Sequence, residues 1–201
     1  MAVEREEIQV AARKPGPINI VDIGANAGLF SAIALSELGD RVRLLAVEPS
    51  PLLLERLDQN IAFNSKSANV YIQTVAIGAE ESLLKLVFQP DDLGGASLAE
   101  GQNTGETNTL DVPVRPLFQL LLDARFKTID ILKIDVEGFE DQALIPFFEK
   151  AEPALWPQTI SMEVAHARSW KQDVRTYLTD KGYRVKRENG PDIILVRQTE
   201  T

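Results

Sequence analysis

Short apolar runs alternate with stretches of helical period along most of this chain. Ile18 to Ile23 reads as a strand, and Ala27 to Leu38 as a helix stopped by Gly39. Val42 to Val47 reads as a second strand. Pro51 to Phe63 reads as a helix with Ser50 as N-cap and Pro51 at its first position. Val70 to Val75 is a third strand, and Leu83 to Phe88 and Leu110 to Arg115 are two more. Between that last pair lies a polar stretch, Asp91 to Asn108, whose Gly94-Gly95 pair predicts a mobile loop. Leu117 to Arg125 reads as a helix. Ile129 to Ile134 is a near-continuous apolar run, as expected of a strand covered on both faces. Phe139 to Lys150 is helical, with Pro146 a point of kinking. Thr159 to Val164 is a strand, and Lys171 to Lys181 a helix closed by Gly182. Tyr183 to Lys186 and Ile193 to Val196 then pair across a turn at Asn189-Gly190-Pro191.

The alternation predicts an α/β chain with a doubly wound, mostly parallel sheet and a closing antiparallel hairpin. Residues 15–201 are expected to form one domain. Residues 1–14 read as a frayed leader or a short charged helix, separated from the first strand by Pro15-Gly16-Pro17. A chain of 201 residues suits that size. Its 44% apolar and 25% charged content is that of a globular protein.

Net charge is -9, and Lys and Arg are scattered, which argues against a nucleic-acid partner. There is no cysteine, which excludes disulfides, thiol catalysis and cysteine metal sites. Glu4, Arg5, Glu6 and Glu7 interrupt any signal-type apolar core. No run approaches the ~20 apolar residues of a membrane helix. A cytoplasmic protein with no membrane partner is the expectation.

Two dense motifs carry the candidate chemistry. In the first, Val21-Asp22-Ile23-Gly24-Ala25-Asn26-Ala27-Gly28 joins strand to helix, and Glu48 ends the next strand about 20 residues on. A nucleoside lying over these strand ends needs bare backbone beneath it, hence Gly24 and Gly28. Asn26 stands where dinucleotide folds prefer glycine, and Asn tolerates positive φ. Asp22 would repel a pyrophosphate but suits a cationic ligand such as an amino-acid ammonium. That favours S-adenosylmethionine over a nicotinamide dinucleotide. Both oxygens of Glu48 suit the two hydroxyls of a ribose, and Pro49-Ser50-Pro51 sets the chain direction after it. Adenine is placed near Val75, Ala76 and Ile77. Asn60 or Asn64 could hold its amino group, or could serve as helix-end caps.

The second motif is Leu132-Lys133-Ile134-Asp135-Val136-Glu137-Gly138-Phe139-Glu140. Asp135 falls at a central strand end, facing a bound cofactor's reactive group. Lys133 inside an apolar strand needs an ionic partner, which Asp135 or Glu163 could supply. Asp135, Glu137, Glu140 and Asp141 could hold Mg²⁺ or Ca²⁺, or could be an acid-rich helix start suited to the helix dipole. A divalent metal is left open, and no metal ligand is assigned. His166 is the sole histidine and sits just past the Thr159 to Val164 strand. It is either a base for a hydroxyl proton or an ordinary surface residue. Trp170 either walls an acceptor pocket or caps the core.

Taken together, these residues resemble the FkbM-type methyltransferases. The resemblance is carried by Val21 to Gly28, Glu48-Pro49-Ser50-Pro51, Asn60 with Asn64, Thr109-Leu110-Asp111, Lys133 to Gly138, and Glu163. It spans Ile18 to Val196 and implies the class I methyltransferase (Rossmann-like) fold, a seven-stranded sheet with a C-terminal antiparallel hairpin. It implies cofactor contacts at Asp22, Gly24, Asn26, Gly28 and Glu48, to which the reading of the turn and strand ends adds Ala25, Pro49 and Ala76 as candidates. It places Asp135 beside the methyl donor, with Lys133, Glu163 and His166 as further catalytic candidates. The implied reaction is O-methylation of a hydroxyl on a small molecule or sugar. Two departures stand out. Lys150-Ala151-Glu152-Pro153 lacks a glycine often found after this helix. The N-terminal extension is short, which suggests a reduced substrate-recognition region or one supplied by a partner subunit. A homodimer is compatible with this. The rival readings are an NAD-dependent oxidoreductase, although no Tyr-x-x-x-Lys pattern is present, and a non-catalytic cofactor-binding partner subunit.

Overall fold

Alternation inside the apolar runs decides which face each side chain joins. The computed structural model describes residues 2–64, 69–89, 92–99 and 108–198. In chain order these form α1 (Ala2–Ala12), β1 (Ile18–Ile23), α2 (Leu29–Leu38), β2 (Val42–Val47), α3 (Pro51–Asn64), β3 (Val70–Gln73), β4 (Ala76–Ile77), β5 (Ser82–Gln89) and β6 (Asp92–Ala99). There follow β7 (Asn108–Arg115), α4 (Leu117–Asp123), β8 (Ile131–Ile134), α5 (Glu140–Lys150), β9 (Thr159–Glu163), α6 (Val174–Asp180), β10 (Tyr183–Asn189) and β11 (Asp192–Arg197).

Seven strands make the main sheet in the order β10-β11-β9-β8-β1-β2-β3. β3, β2, β1, β8 and β9 are mutually parallel, whereas β11 runs antiparallel to both β9 and β10. Ile18 and Ile20 of β1 join Val42, Leu44 and Ala46 of β2 in a core packed against α1, α2 and α3. Val21 and Ile23 join Leu45, Val47, Leu132 and Ile134 in a larger core with α4, α5 and α6 on the opposite face. β1 therefore lies where the chain changes direction across the sheet. A crevice opens there beyond the carboxyl ends of the strands.

The doubly wound sheet and its closing hairpin are as expected. Of the two readings of residues 1–14, the structure has the helix: Ile8 is buried in the core against α2. Pro146 lies within α5 without ending it. Several boundaries differ for physical reasons. β3 stops at Gln73, because Ala76–Ile77 turns away to pair with β7 in a second, four-stranded sheet of order β4-β7-β5-β6. The last helix begins at Val174 rather than Lys171, because Asp173 caps it by accepting the Arg175 and Thr176 backbone N–H groups. The expected loop at Asp91 to Asn108 contains a strand: Asp92–Ala99 pairs antiparallel with β5. The remainder, residues 91 and 100–107, falls outside the described residues.

An aromatic cluster closes the far side of the larger core. The Phe148 ring meets Phe147, Trp156 and Tyr183 edge to face at centroid distances of 5.1, 5.2 and 5.7 Å. The Tyr183 hydroxyl donates to the Pro157 carbonyl at 2.6 Å, so its burial leaves no polar debt. Phe148→Ala is expected to lower unfolding free energy by about 3–5 kcal/mol, as measured by urea denaturation.

Candidate active site

The first turn is shaped by contacts with both neighbouring strands. The backbone N–H groups of Gly24 and Ala25 both donate to the Val47 carbonyl, at 2.9 and 3.0 Å. A Cβ on Gly24 would stand 1.8 Å from the Asp135 carbonyl oxygen. Glycine at this point is therefore required by the backbone of β8's extension, quite apart from any ligand. Gly28 is constrained from the other side, where a Cβ would meet Leu57 at 2.6 Å. Asn26 adopts φ 53, and its Oδ1 accepts the Ala27 N–H at 2.6 Å. Asn60 reaches across from α3 and donates to the Ala27 carbonyl at 2.7 Å. It thus tethers the turn, while Asn64 bonds back to the Asn60 carbonyl on its own helix. Neither Asn lines the adjoining cavity.

That cavity has a volume of about 530 Å³ and lies over the carboxyl ends of β1, β2 and β8. Gly24, Ala25 and Asn26 form one wall, with Glu48 and Pro49 beside them. Val75, Ala76, Ile77, Leu53 and Leu86 make an apolar end. Asp135, Val136, Glu137, Glu163 and Lys133 make an acidic end, joined by Pro191 and Asp192 from the closing hairpin. The cavity is thus apolar at one pole and charged at the other.

Glu48 is buried, with both oxygens already engaged by backbone. Oε2 accepts the Asn26 N–H and Oε1 the Ser50 N–H, each at 2.8 Å. Each oxygen keeps further acceptor capacity toward the cavity. Burial raises its pKa, and those two hydrogen bonds oppose the shift.

Asp22 is placed differently from the expectation of a direct ligand contact. It is fully buried and is not on the cavity wall. Its Oδ2 accepts from Ser31 Oγ at 2.6 Å, while Oδ1 accepts no hydrogen bond from the described residues and faces Lys133 Nζ at 3.8 Å. The strand register explains the pairing, since Asp22 and Lys133 are partners across β1 and β8. Lys133 also donates to the Gly24 carbonyl at 2.9 Å and lies 3.4 Å from Asp135 Oδ2. One ammonium thus joins two acids and the turn. The pairing expected of Lys133 with Asp135 is present, and its additional partner is Asp22. Burial raises the Asp22 pKa, and the Lys133 charge opposes it.

The second motif divides into two halves. Glu140 and Asp141 are buried and act as fasteners. Glu140 Oε1 accepts the Val136 and Gly138 N–H groups at 3.1 and 3.4 Å, and Oε2 accepts from the Trp170 indole at 2.7 Å. Asp141 Oδ2 accepts the Lys171 N–H at 2.8 Å. These bonds engage the pair as scaffold, and Trp170 packs on the core rather than lining the cavity. Asp135 and Glu137 face the cavity. Glu137 holds φ 53, an uncommon conformation for a residue with a Cβ, just before Gly138 at φ 98.

His166 stands behind Glu137, with Nε2 3.0 Å from Glu137 Oε2, and does not itself line the cavity. Glu163 does, and its buried Oε2 has no hydrogen-bond partner among the described residues. Burial, then the neighbouring Asp135 and Glu137 charges, raise its pKa to about 7. Leu86 and Asp192 are site residues that sequence reasoning did not single out, whereas Glu137 was named only as one of four acids that could hold a metal. The uncommon acid-glycine pair Glu137-Gly138 was the one available signal, because Leu86 and Asp192 arrive from distant strands.

The sheet order and the position of this cleft define a class I methyltransferase fold. Solved structures agree. The precorrin-6y C5,15-methyltransferase of Geobacter metallireducens superposes with a TM-score of 0.54 at 18% identity, over 99% of this chain and 87% of that one. A methyltransferase from Geobacter sulfurreducens superposes with a TM-score of 0.54 at 14% identity, over 98% and 80% of the two chains. The family model for the methyltransferase FkbM domain matches residues 22–185, so the chain belongs to the FkbM methyltransferase family. Methyltransferase sdnD of Sordaria araneosa is 25% identical over 204 residues, which cover 88% of this chain and 78% of that protein. No helix among the described residues is long and apolar enough to cross a membrane.

The raised Asp22 pKa has a consequence for stability. A carboxyl whose folded pKa exceeds its unfolded value stabilises the fold most below the unfolded pKa, and that contribution is lost as pH rises through the folded value. Asp22→Asn removes this term. Its stability relative to the wild type, measured by urea denaturation, is expected to improve as pH is raised from about 4 to about 8.

Proposed function

We propose that this protein is an S-adenosylmethionine-dependent O-methyltransferase acting on a hydroxyl of a small-molecule or sugar substrate. The observation that carries the reading is the polarity of the cleft. Its apolar end, between Pro49, Leu53, Ala76, Ile77 and Leu86, suits a flat purine. Its acidic end suits a cationic amino-acid tail and a sulfonium. Glu48 lies between the two, with spare acceptor capacity for ribose hydroxyls. The Gly24–Asn26 backbone forms the wall beside Glu48. The buried carboxylates Asp22 and Glu48 beside this wall disfavour a pyrophosphate. This is the specific ground for preferring adenosylmethionine over a nicotinamide dinucleotide.

The cofactor supplies an activated methyl group on a cationic sulfur. The chain's own residues bind, orient and receive a proton. Glu48 and the Gly24–Asn26 backbone hold the nucleoside in register with Asp135. Lys133 ties Asp135, Asp22 and the Gly24 carbonyl together, so it is a positioning residue for the acceptor end. Asp22 acts through Lys133. Asp135 lines the cavity and would accept the hydroxyl proton as the acceptor oxygen takes the methyl group. His166 is one layer further back, which favours Asp135 as the group touching the acceptor. Much of the acceleration then comes from fixing donor and acceptor in line.

Calorimetry with S-adenosylhomocysteine tests the reading. The full chain is expected to bind it, and Glu48→Gln to weaken binding by about 10-fold or more, which corresponds to ~1.4 kcal/mol. An unchanged melting curve for the variant alone would show that it is folded. Thermal protection by NAD but not by S-adenosylhomocysteine would support the oxidoreductase reading instead.

A further inference from the structure

Four carboxylates gather at the acidic end of the cleft. Asp135, Glu137, Glu163 and Asp192 line it together, and Lys133, the one cation among the described lining residues, is shared between Asp135, Asp22 and the Gly24 carbonyl. Like charges held at this density in a partly buried site call for a cation.

The geometry identifies its seat. One ligand atom each from Glu137, Glu163 and His166 lies within 4.8 Å of the others. Glu137 Oε2 and His166 Nε2 are 3.0 Å apart. Two ligands bonded to one ion at about 2.0–2.2 Å, roughly at right angles, stand about 3 Å from one another. Glu163 adds a buried Oε2 that has no hydrogen-bond partner among the described residues. The loops bearing these groups are held together independently of any ion. Ser169 Oγ lies within hydrogen-bonding distance of the Gly138 carbonyl (3.3 Å) and the His166 carbonyl (2.7 Å). A Cβ on Gly138 would strike Ser169 Oγ at 2.5 Å and approach His166 Cβ to 3.2 Å. Glu137 is thus turned toward Glu163 and His166 by a backbone that has little other choice.

We propose that Glu137, Glu163 and His166 form a divalent-cation site at the acceptor end of the cleft. Two carboxylates and one imidazole are a hard, mixed oxygen and nitrogen donor set, suited to a first-row ion such as Mn²⁺. Three ligands from one side leave the ion open toward the cavity that Glu137 and Glu163 line. Its use there rests on the methyl-transfer reading: an oxygen of the acceptor would complete the coordination, and the cation would favour its deprotonation next to Asp135. The site itself rests only on the three side chains.

The test uses Mn²⁺ alone, added to the full chain and followed by loss of the free-ion paramagnetic resonance signal. One Mn²⁺ per chain is expected, with affinity at least about 10-fold weaker in Glu163→Gln and in His166→Gln, since even an outer-shell change costs that much. If His166→Gln does not fold, Glu137→Gln replaces it. A wild-type chain that leaves the Mn²⁺ signal unchanged at millimolar concentration would overturn the site. So would variants that bind Mn²⁺ as the wild type does. S-adenosylhomocysteine binding measured in the same samples keeps the two claims apart: its absence with Mn²⁺ bound would sink the methyl-donor reading and leave the cation site standing.

Discussion

Lys133 is the tie on which the rest of the cleft depends. A lysine in the middle of an apolar strand is costly unless its charge is met. Here it is met three times, by the Gly24 carbonyl, Asp135 and Asp22. The same contacts pull the first turn against the end of β8. The Asp135 carbonyl then occupies the space a side chain on Gly24 would need. Glycine at that turn, a lysine in the next strand and an acid on each side are parts of one arrangement. Changing any one leaves a buried charge or a steric conflict for the others.

The consequence is a cleft built from strand ends rather than from long loops. Its floor is fixed by parallel pairing of β1 with β2 and β8. Its acidic end is fixed by Glu140 and Asp141, buried acids that bond to backbone and indole rather than face solvent. Such a site is held in place before any ligand arrives, which reduces the ordering cost of binding. The second sheet contributes the apolar end through Ala76, Ile77 and Leu86.

Much of this was legible in the sequence because the central parallel strands are short, largely apolar runs, and β1, β2, β8 and β9 carry Gly24, Glu48, Asp135 and Glu163 at their carboxyl ends. Gly24, Ala25, Asn26, Glu48, Pro49, Ala76, Lys133, Asp135 and Glu163 all line the cavity. Asp22, Gly28 and His166 lie just behind it, and local spacing does not distinguish a wall from the layer supporting it. Asp22 follows the strand alternation inward, onto α2 and Ser31. Strand β6 escaped notice because its polar, glycine-bearing sequence becomes extended only by pairing with β5. Nor does the sequence announce that Asn60 crosses from α3 to hold the first turn. Glu137 became prominent only when β9 brought Glu163 and His166 beside it.

The central claim is that a nucleoside and a cationic amino-acid tail lie across the ends of β1, β2 and β8. A crystal structure of the chain grown with S-adenosylhomocysteine tests it most directly. The account predicts density for the ribose against Glu48, the purine between Ala76 and Leu86, and the amino-acid tail toward Lys133 and Asp135. A cleft without ligand density at saturating concentration, or a ligand bound elsewhere on the molecule, would contradict it.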